Sequence, residues 1–283
     1  QQHAQLPALW LREPIGARQL LADDRACPPD LRDFTWRYFR GRCSLDEWVA
    51  TAHPGGTRAV AFLPDGRLVS GGSDGKLRYW RPPEADGEPV AAHRGAVHAL
   101  VLLGGAVVTG GQDGTLKVWA DGAAEPARTA TLPAAVHALS ANPAGGWVAA
   151  GCDDGRVRLY EAATGRAGAT LGGAGGAVRA VACGPAGDTL AAGGADGLVR
   201  LWDVAGRAVL REWDCRGEPV LGLAFAPGGE FVVATGERGG VRVWDVRTGR
   251  CRELRGHLMP VRGAAVSPTG DRIATGGGDN YLK

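Results

Sequence analysis

A short segment recurs six times along this chain, at a spacing of 39 to 42 residues. Each copy has two small residues, a variable residue, usually Asp-Gly, and then an alternating apolar run that ends in an aromatic residue in the first five copies. The copies begin at Gly71, Gly110, Gly151, Gly193, Thr235 and Gly276. A period near 40 with turn residues at fixed offsets is typical of four-stranded propeller blades. We therefore predict an all-β propeller with six visible blades, of which the last is incomplete.

The strands follow from the same pattern. The first repeat predicts strands over residues 57–63, 67–71 and 76–80, separated by turns at Pro64-Asp65-Gly66 and Asp74-Gly75. A weaker fourth strand precedes the next repeat. In the second repeat Leu116 and Val118 alternate with Lys117 and Trp119, so both faces of the sheet need a neighbour. Radial stacking of such sheets buries both faces, which makes the repetition necessary for stability.

The first 45 residues follow a different pattern. Leu31, Phe34, Tyr38 and Phe39 recur at helical spacing behind Asp30, which is placed as an N-cap. We predict a short helical segment over residues 1–45 and the propeller over residues 46–283. The run Glu47-Trp48-Val49-Ala50-Thr51 is expected to supply the outer strand of the last blade.

Composition excludes several classes of function. The net charge is +2, which gives no global attraction to nucleic acid or anionic membrane. No apolar run is long enough to span a membrane. None of the six Cys residues has CxxC spacing, and His93 and His98, five residues apart, are better explained by separate repeat positions than by a metal. We expect no metal and no cofactor.

One apparent catalytic motif is explained by the repeat. The stretch Gly71-Gly72-Ser73-Asp74-Gly75 fits the GxSxG turn of a serine nucleophile, but a strand follows it instead of a helix. The other copies carry unrelated residues in the place of Ser73. We therefore predict no catalytic residue, and the chain is interpreted as a non-enzyme.

The repeats resemble WD-repeat (WD40) propellers over residues 46–283. Gly256-His257 matches the Gly-His pair of that family, and Trp202-Asp203 and Trp244-Asp245 match its Trp-Asp pair. The resemblance implies a hydrogen-bonded set in each blade, which ties His, Ser or Thr, Asp and Trp together. The matching residues are His53, Ser70, Asp74 and Trp80; His93, Thr109, Asp113 and Trp119; and His257, Thr275 and Asp279.

The third, fourth and fifth repeats depart from this set. Ala150, Ala192 and Ala234 stand in the Ser/Thr place, and Arg238 replaces Asp in the fifth repeat. None of the three has the His. We therefore predict that these blades are held mainly by apolar packing and are the softer ones.

A second periodic position points to binding. It lies just after the first apolar residue of the first strand in each repeat and holds Arg58, His98, His137, Arg179, Leu221 and Arg262. In proteins resembling this one the position lies on the partner-binding top face, beside the residue before the turn Asp. Those neighbours include Ser73, Gln112, Asp153 and Glu237. Because Arg pairs well with carboxylate and phosphate, we predict an acidic or phosphorylated peptide as partner. The alternative is that these side chains are solvated or pair with Asp153 and Glu237.

Two functions remain open from the sequence. The favoured one is a non-catalytic protein-interaction scaffold of bacterial type. The alternative is the recognition part of a larger signalling enzyme, because the helical segment resembles the stretch before WD repeats in large bacterial proteins, some with a membrane-anchored Ser/Thr kinase domain. The location is cytoplasmic by default and extracytoplasmic if a membrane span precedes this chain. The blade count of the parent protein also stays open, and the resemblance favours seven or more.

Overall fold

The computed structural model describes residues 52–283, except residues 82–83, 86–87, 162–163, 173–174 and 280. Residues 52–283 form one compact unit. The helices predicted within residues 1–45 and the strand predicted at residues 47–51 lie outside the described residues. Within the described part, the chain forms 23 β-strands and no helix that could span a membrane.

The strands form six antiparallel sheets in chain order, which we number as blades 1 to 6. Blade 1 contains β1 (Thr57–Phe62), β2 (Leu68–Gly72), β3 (Lys76–Arg81), β4 (Glu84–Ala85) and β5 (Val90–Ala91), the last two both paired with β3. Blade 2 contains β6 (Val97–Leu103), β7 (Ala106–Gly111), β8 (Thr115–Trp119) and β9 (Arg128–Thr131). Blade 3 contains β10 (Val136–Ala141), β11 (Trp147–Cys152), β12 (Val157–Glu161) and β13 (Ala167–Leu171).

The remaining blades repeat this order. Blade 4 contains β14 (Val178–Cys183), β15 (Thr189–Gly194), β16 (Leu198–Asp203) and β17 (Ala208–Asp214). Blade 5 contains β18 (Val220–Phe225), β19 (Phe231–Gly236), β20 (Val241–Asp245) and β21 (Cys251–Leu254). Blade 6 contains β22 (Val261–Val266) and β23 (Ile273–Gly277), and Leu282 forms an isolated bridge to Gly276. The prediction of propeller blades with an incomplete sixth blade is confirmed.

At the first turn, two residues that were predicted as strand ends belong to the turn instead. Leu63 and Arg67, predicted as strand residues, close the first turn: the Leu63 amide donates to the Arg67 carbonyl at 2.7 Å. The Arg67 amide also donates to the Asp65 carboxylate at 3.1 Å. Bonding within the turn thus takes the place of the sheet ladder at these two residues.

The hydrophobic core lies between the blades. Each adjacent pair of blades shares one apolar cluster; Leu77 of blade 1 and Trp119 of blade 2, for example, are fully buried in the same one. The first glycine of the repeat signature permits this approach, because a Cβ at Gly71 would lie 2.7 Å from the Val97 side chain. The second glycine makes room for a histidine, since a Cβ at Gly72 would lie 2.2 Å from the His53 ring. The signature is therefore a packing requirement.

Within the described part of residues 52–283, no other element covers the outer faces of blades 1 and 6. Val60 and Phe62 of β1 are 61% and 70% exposed, whereas Leu100, at the place of Val60 in blade 2, is buried. In blade 6, Leu282 is 80% exposed. Leu77 of blade 1 holds the same position, three residues after the turn Asp, and is fully buried. The contrast shows that burial of these positions depends on a neighbouring blade.

Candidate functional site

A β-bulge interrupts the first strand of every blade at the same place. In β1, Thr57 pairs with Gly72 and Ala59 with Gly71, so Arg58 has no partner in the ladder. The same register shift leaves one residue unpaired in each of the other five blades. The six bulge residues are Arg58, His98, His137, Arg179, Leu221 and Arg262. A bulge re-aims a side chain, so each blade directs one side chain away from its regular pleat.

The six bulge residues line one cavity of about 620 Å³, which we call the mouth. They come from all six blades, as the sequence period requires. Ser73 and Asp153 also line the mouth, together with Gly55 and Thr57. Gln112 and Glu237, which the sequence placed beside the ring, are not among the described residues that line it, although both are exposed.

The mouth carries more positive than negative charge. Arg58, Arg179 and Arg262 are all exposed, and none of them pairs with a carboxylate among the described residues. Arg58 instead donates from Nε to Ser73 Oγ at 2.9 Å. Asp153, the one carboxylate among the described residues that line the mouth, accepts a hydrogen bond from His137 Nε2 at 2.9 Å. The guanidinium groups are therefore available to an anion. Of the alternative pairings, His137 does pair with Asp153, whereas no ring residue pairs with Glu237 among the described residues.

The two histidines of the mouth form a stacked pair. Their ring centroids are 5.0 Å apart and the planes differ by 10°. His98 donates from Nδ1 to the Val136 carbonyl at 3.1 Å. In the neutral ring the single N–H is therefore on Nδ1, and Nε2 is an acceptor. Burial lowers the pKa of His98, and the positive charge that His137 and Arg58 can carry lowers it further. His98 thus offers the mouth a neutral, flat surface near neutral pH.

The hydrogen-bonded set predicted within each blade, which we call the histidine tie, is present in blades 1, 2 and 6. In blade 2, His93 bonds Asp113 at 3.0 Å through Nδ1 and Thr109 at 2.8 Å through Nε2, and Trp119 Nε1 donates to Thr109 at 3.0 Å. Because a carboxylate only accepts, Nδ1 carries the proton and the Thr109 hydroxyl donates to Nε2. Blade 1 repeats the set with His53, Ser70, Asp74 and Trp80, and blade 6 with His257, Thr275 and Asp279.

In blades 3 and 4 an arginine–carboxylate pair takes the place of the histidine tie. We call it the arginine tie, and it was not predicted from the sequence. Arg158 pairs with both oxygens of Asp154 at 2.9 and 2.5 Å, and Arg200 pairs with Asp196 at 2.7 Å. In the sheet these arginines stand opposite Ala150 and Ala192, the residues in the Ser/Thr place. The interpretation that apolar packing mainly holds these blades is therefore incomplete. A small residue at the Ser/Thr place leaves room for a guanidinium group.

Blade 5 moves the carboxylate to another loop. Arg238 occupies the turn Asp place, and Glu218, from the preceding loop, accepts from the amides of Arg238 at 2.7 Å and Gly240 at 3.1 Å. Arg242 pairs with Glu218 at 2.9 Å, and both side chains are buried. Burial would raise the pKa of Glu218, but the bonds from Arg242 and these amides outweigh it and lower that pKa. The sequence signal for this arrangement is weak: Arg follows the turn position by four residues in all three blades, but blade 1 has Arg78 at the same offset and opposite Ser70.

The other reactive side chains that the structure describes form no site. No cluster of His, Cys, Asp and Glu suited to a metal occurs among the described residues. Burial raises the pKa of the Cys183 thiol to about 11 and that of Cys215 to about 12, which suppresses the reactive thiolate. Both are buried free cysteines, as is Cys152, whereas Cys251 is exposed.

Comparison with known proteins agrees with the blade pattern. A search of curated proteins finds no match. The model of the WD domain, G-beta repeat family matches six segments, at residues 46–81, 89–120, 127–161, 165–203, 208–245 and 249–283. From the second segment on, each matched segment contains the outer strand of one blade and the first strands of the next, so the segments are offset from the blades by one strand. Together the six segments cover most of the chain. This chain therefore belongs to the WD40 repeat family.

Proposed function

We propose that this WD40 domain is a non-catalytic scaffold whose mouth binds an acidic or phosphorylated segment of a partner protein. WD40 repeats in general point to protein interaction. The observation that supports the finer proposal is the convergence of six bulge residues on one cavity, three of them arginines without a carboxylate partner in the described structure.

The charge arrangement favours an anion over a neutral ligand. A carboxylate or phosphate replaces the water around a guanidinium group with paired hydrogen bonds, which are stronger than neutral ones. In the described part of the chain, Asp153 is the one acid that lines the mouth, and it already accepts a hydrogen bond from His137. An incoming anion would therefore meet little repulsion, whereas a cationic segment would be repelled by the three arginines.

The test uses an immobilised degenerate peptide library whose central residue is phosphoserine, glutamate or serine. The protein is compared with the variant Arg58→Glu/Arg179→Glu/Arg262→Glu and with the control Arg252→Glu, an exposed residue of β21 outside the mouth. We expect the native chain and the control to retain phosphoserine or glutamate peptides, and the triple variant to lose them by about tenfold or more. Retention should fall with salt, because exposed charges are screened.

Two outcomes would overturn the proposal. One is equal retention of serine peptides, which would show that charge does not select the ligand. The other is unchanged binding by the triple variant, provided that circular dichroism and thermal unfolding show all three proteins to be folded.

A further inference from the structure

The loop that leads into β22 carries two exposed apolar side chains. This blade 6 loop, residues 257–260, holds Leu258, 89% exposed, and Met259, 51% exposed. Met259 is the single methionine of the chain. At the same distance before the first strand, the other blades carry mostly small residues or proline: Pro54-Gly55, Arg94-Gly95, Pro133-Ala134, Gly175-Gly176 and Gly217-Glu218. Two neighbouring large apolar side chains on a surface loop mark a candidate contact for another protein.

The backbone of the blade 6 loop is held on both sides. The Gly278 amide donates to the Pro260 carbonyl at 2.7 Å, and the Leu258 amide donates to Asp279 at 3.3 Å. On the blade 5 side, Gly239 has a φ of +87°, and a Cβ there would lie 2.5 Å from the His257 carbonyl oxygen. The exposure of the two side chains is therefore built into a fixed loop, and little conformational entropy is lost when a partner covers them.

The blade 6 loop adjoins two cavities, each of which contains an arginine without an ion pair among the described residues, although the second is also lined by Glu218 and Glu253. On one side Arg262 lines the mouth. On the other side lies a groove of about 310 Å³, lined among others by Arg238, Arg255 and Leu258 itself. Arg238 has no ion pair among the described residues, and Arg255 lies 3.9 Å from Glu253. The other acid of the groove, Glu218, is neutralised by Arg242.

We propose that the partner segment runs from the mouth across the blade 6 loop towards this groove. A large apolar residue of the partner packs on Leu258 and Met259, and a further acidic residue faces Arg238. This inference rests on the proposed function, because an anionic residue in the mouth anchors the segment. The charge on both sides of the apolar pair selects an acidic segment as its occupant, and the unbranched Met side chain adapts to different apolar partners.

The test uses the same library with a second fixed position. Sub-libraries keep phosphoserine or glutamate at the centre and fix leucine at each flanking position in turn. For the native chain we expect selection of leucine at one position or two neighbouring ones, with about tenfold tighter binding than the matched glycine peptide. Affinities of the selected peptides are then measured by fluorescence anisotropy.

The double variant Leu258→Ser/Met259→Ser should lose this gain and keep the affinity for the glycine peptide within about twofold. The matched control is Leu210→Ser on β17, a leucine that is 53% exposed and far along the chain from the loop. It should leave both affinities unchanged.

Each other outcome argues against the inference in a recognisable way. A leucine gain that survives the double variant, or no leucine selection at all, overturns the apolar contact but leaves the proposed function standing if the arginine variant still loses binding. Leucine selection without any dependence on the arginines overturns the acidic segment and the proposed function together. Self-association of the native chain that the double variant abolishes would assign the apolar pair to a second copy, and would also overturn the inference.

Discussion

Blades 1, 2 and 6 and blades 3, 4 and 5 solve one structural problem with different chemistry. In the first group a histidine joins the turn carboxylate to a hydroxyl inside the sheet. In the second group an arginine of the third strand reaches a carboxylate, which belongs to the turn in blades 3 and 4, as in the pair of Arg158 and Asp154, and to the preceding loop in blade 5. Both arrangements give a carboxylate near the turn its hydrogen-bond partners, and this carboxylate is buried in blade 5, as Glu218. The repeat therefore specifies a need for hydrogen bonds at this place and tolerates more than one way of meeting it.

The two ties differ in what they demand of their neighbours. The histidine tie needs a hydroxyl such as Thr109, because the imidazole has both a donor and an acceptor to satisfy. The arginine tie needs space, which Ala150, Ala192 and Ala234 provide opposite Arg158, Arg200 and Arg242. Converting one kind into the other would therefore take more than one substitution.

The largest effect is expected for Glu218→Gln in blade 5. This change leaves the buried Arg242 without its main partner, and Arg242 has only a 3.5 Å contact to Glu253 in its place. Breaking a buried pair on one side should lower the free energy of unfolding by about 3 kcal/mol. Chemical denaturation measures it. The control Glu212→Gln removes the exposed partner of Arg200 and should cost less than about 1 kcal/mol. Equal effects would contradict the distinction between buried and exposed pairs.

A smaller loss is expected for Thr109→Val in blade 2. The fully buried hydroxyl serves both His93 and Trp119, and valine keeps the shape while leaving both ring nitrogens unsatisfied. We expect a loss of about 2 kcal/mol in the free energy of unfolding. Thr129→Val, on an exposed position of β9, is the matched control and should be nearly neutral. A neutral Thr109→Val would mean that the histidine tie does not stabilise its blade.

The smallest effect is a different response of blades 2 and 3 to pH. Burial lowers the pKa of His93 below 6.5, although Asp113 opposes the shift, so the unfolded chain binds the proton more readily. The contribution of neutral His93 to the free energy of unfolding is present above about pH 6.5 and is lost as the pH falls through the pKa of His93 in the folded chain. The pKa of Asp154 is lowered from 3.8, chiefly by the bond from Arg158, so blade 3 should keep its tie until the pH falls below about 4.

Hydrogen exchange at pH 7 and pH 5, corrected for intrinsic rates, compares the amides of β7 and β8 with those of β11 and β12. Protection should fall in blade 2 relative to blade 3, and His93→Gln should remove that difference. Parallel loss in both blades would contradict the assignment of the pH response to His93.

The sequence predicted the fold well because the blade signature is local. Asp-Gly turns, paired glycines and alternating apolar residues act within about ten positions of one another, so the prediction of blades holds at every copy. The positions of the ring residues were also predictable, since any feature with the repeat period recurs around the same axis. The physical cause, a bulge at Arg58 and its equivalents, is visible only once the register of the strands is known.

The arginine ties could not be predicted with the same ease. Arg158, Arg200 and Arg242 alternate with apolar residues along a strand, and such arginines are usually solvated. Their burial depends on a small residue in the paired strand and, in blade 5, on Glu218 from a loop more than twenty residues away. The exposure of Leu258 was equally unpredictable, because the sequence of one loop does not tell whether another element covers it.

By itself the sequence determined the all-β class, the repeat, its turns and the ring of six positions, because each follows from short-range stereochemistry and a constant period. Tertiary structure decided which of those side chains meet. It brings the bulge residues to one mouth, excludes Gln112 and Glu237 from it, and pairs Glu218 with Arg242. Such contacts join residues far apart in the chain, and their strength depends on burial, which only the packed blades establish.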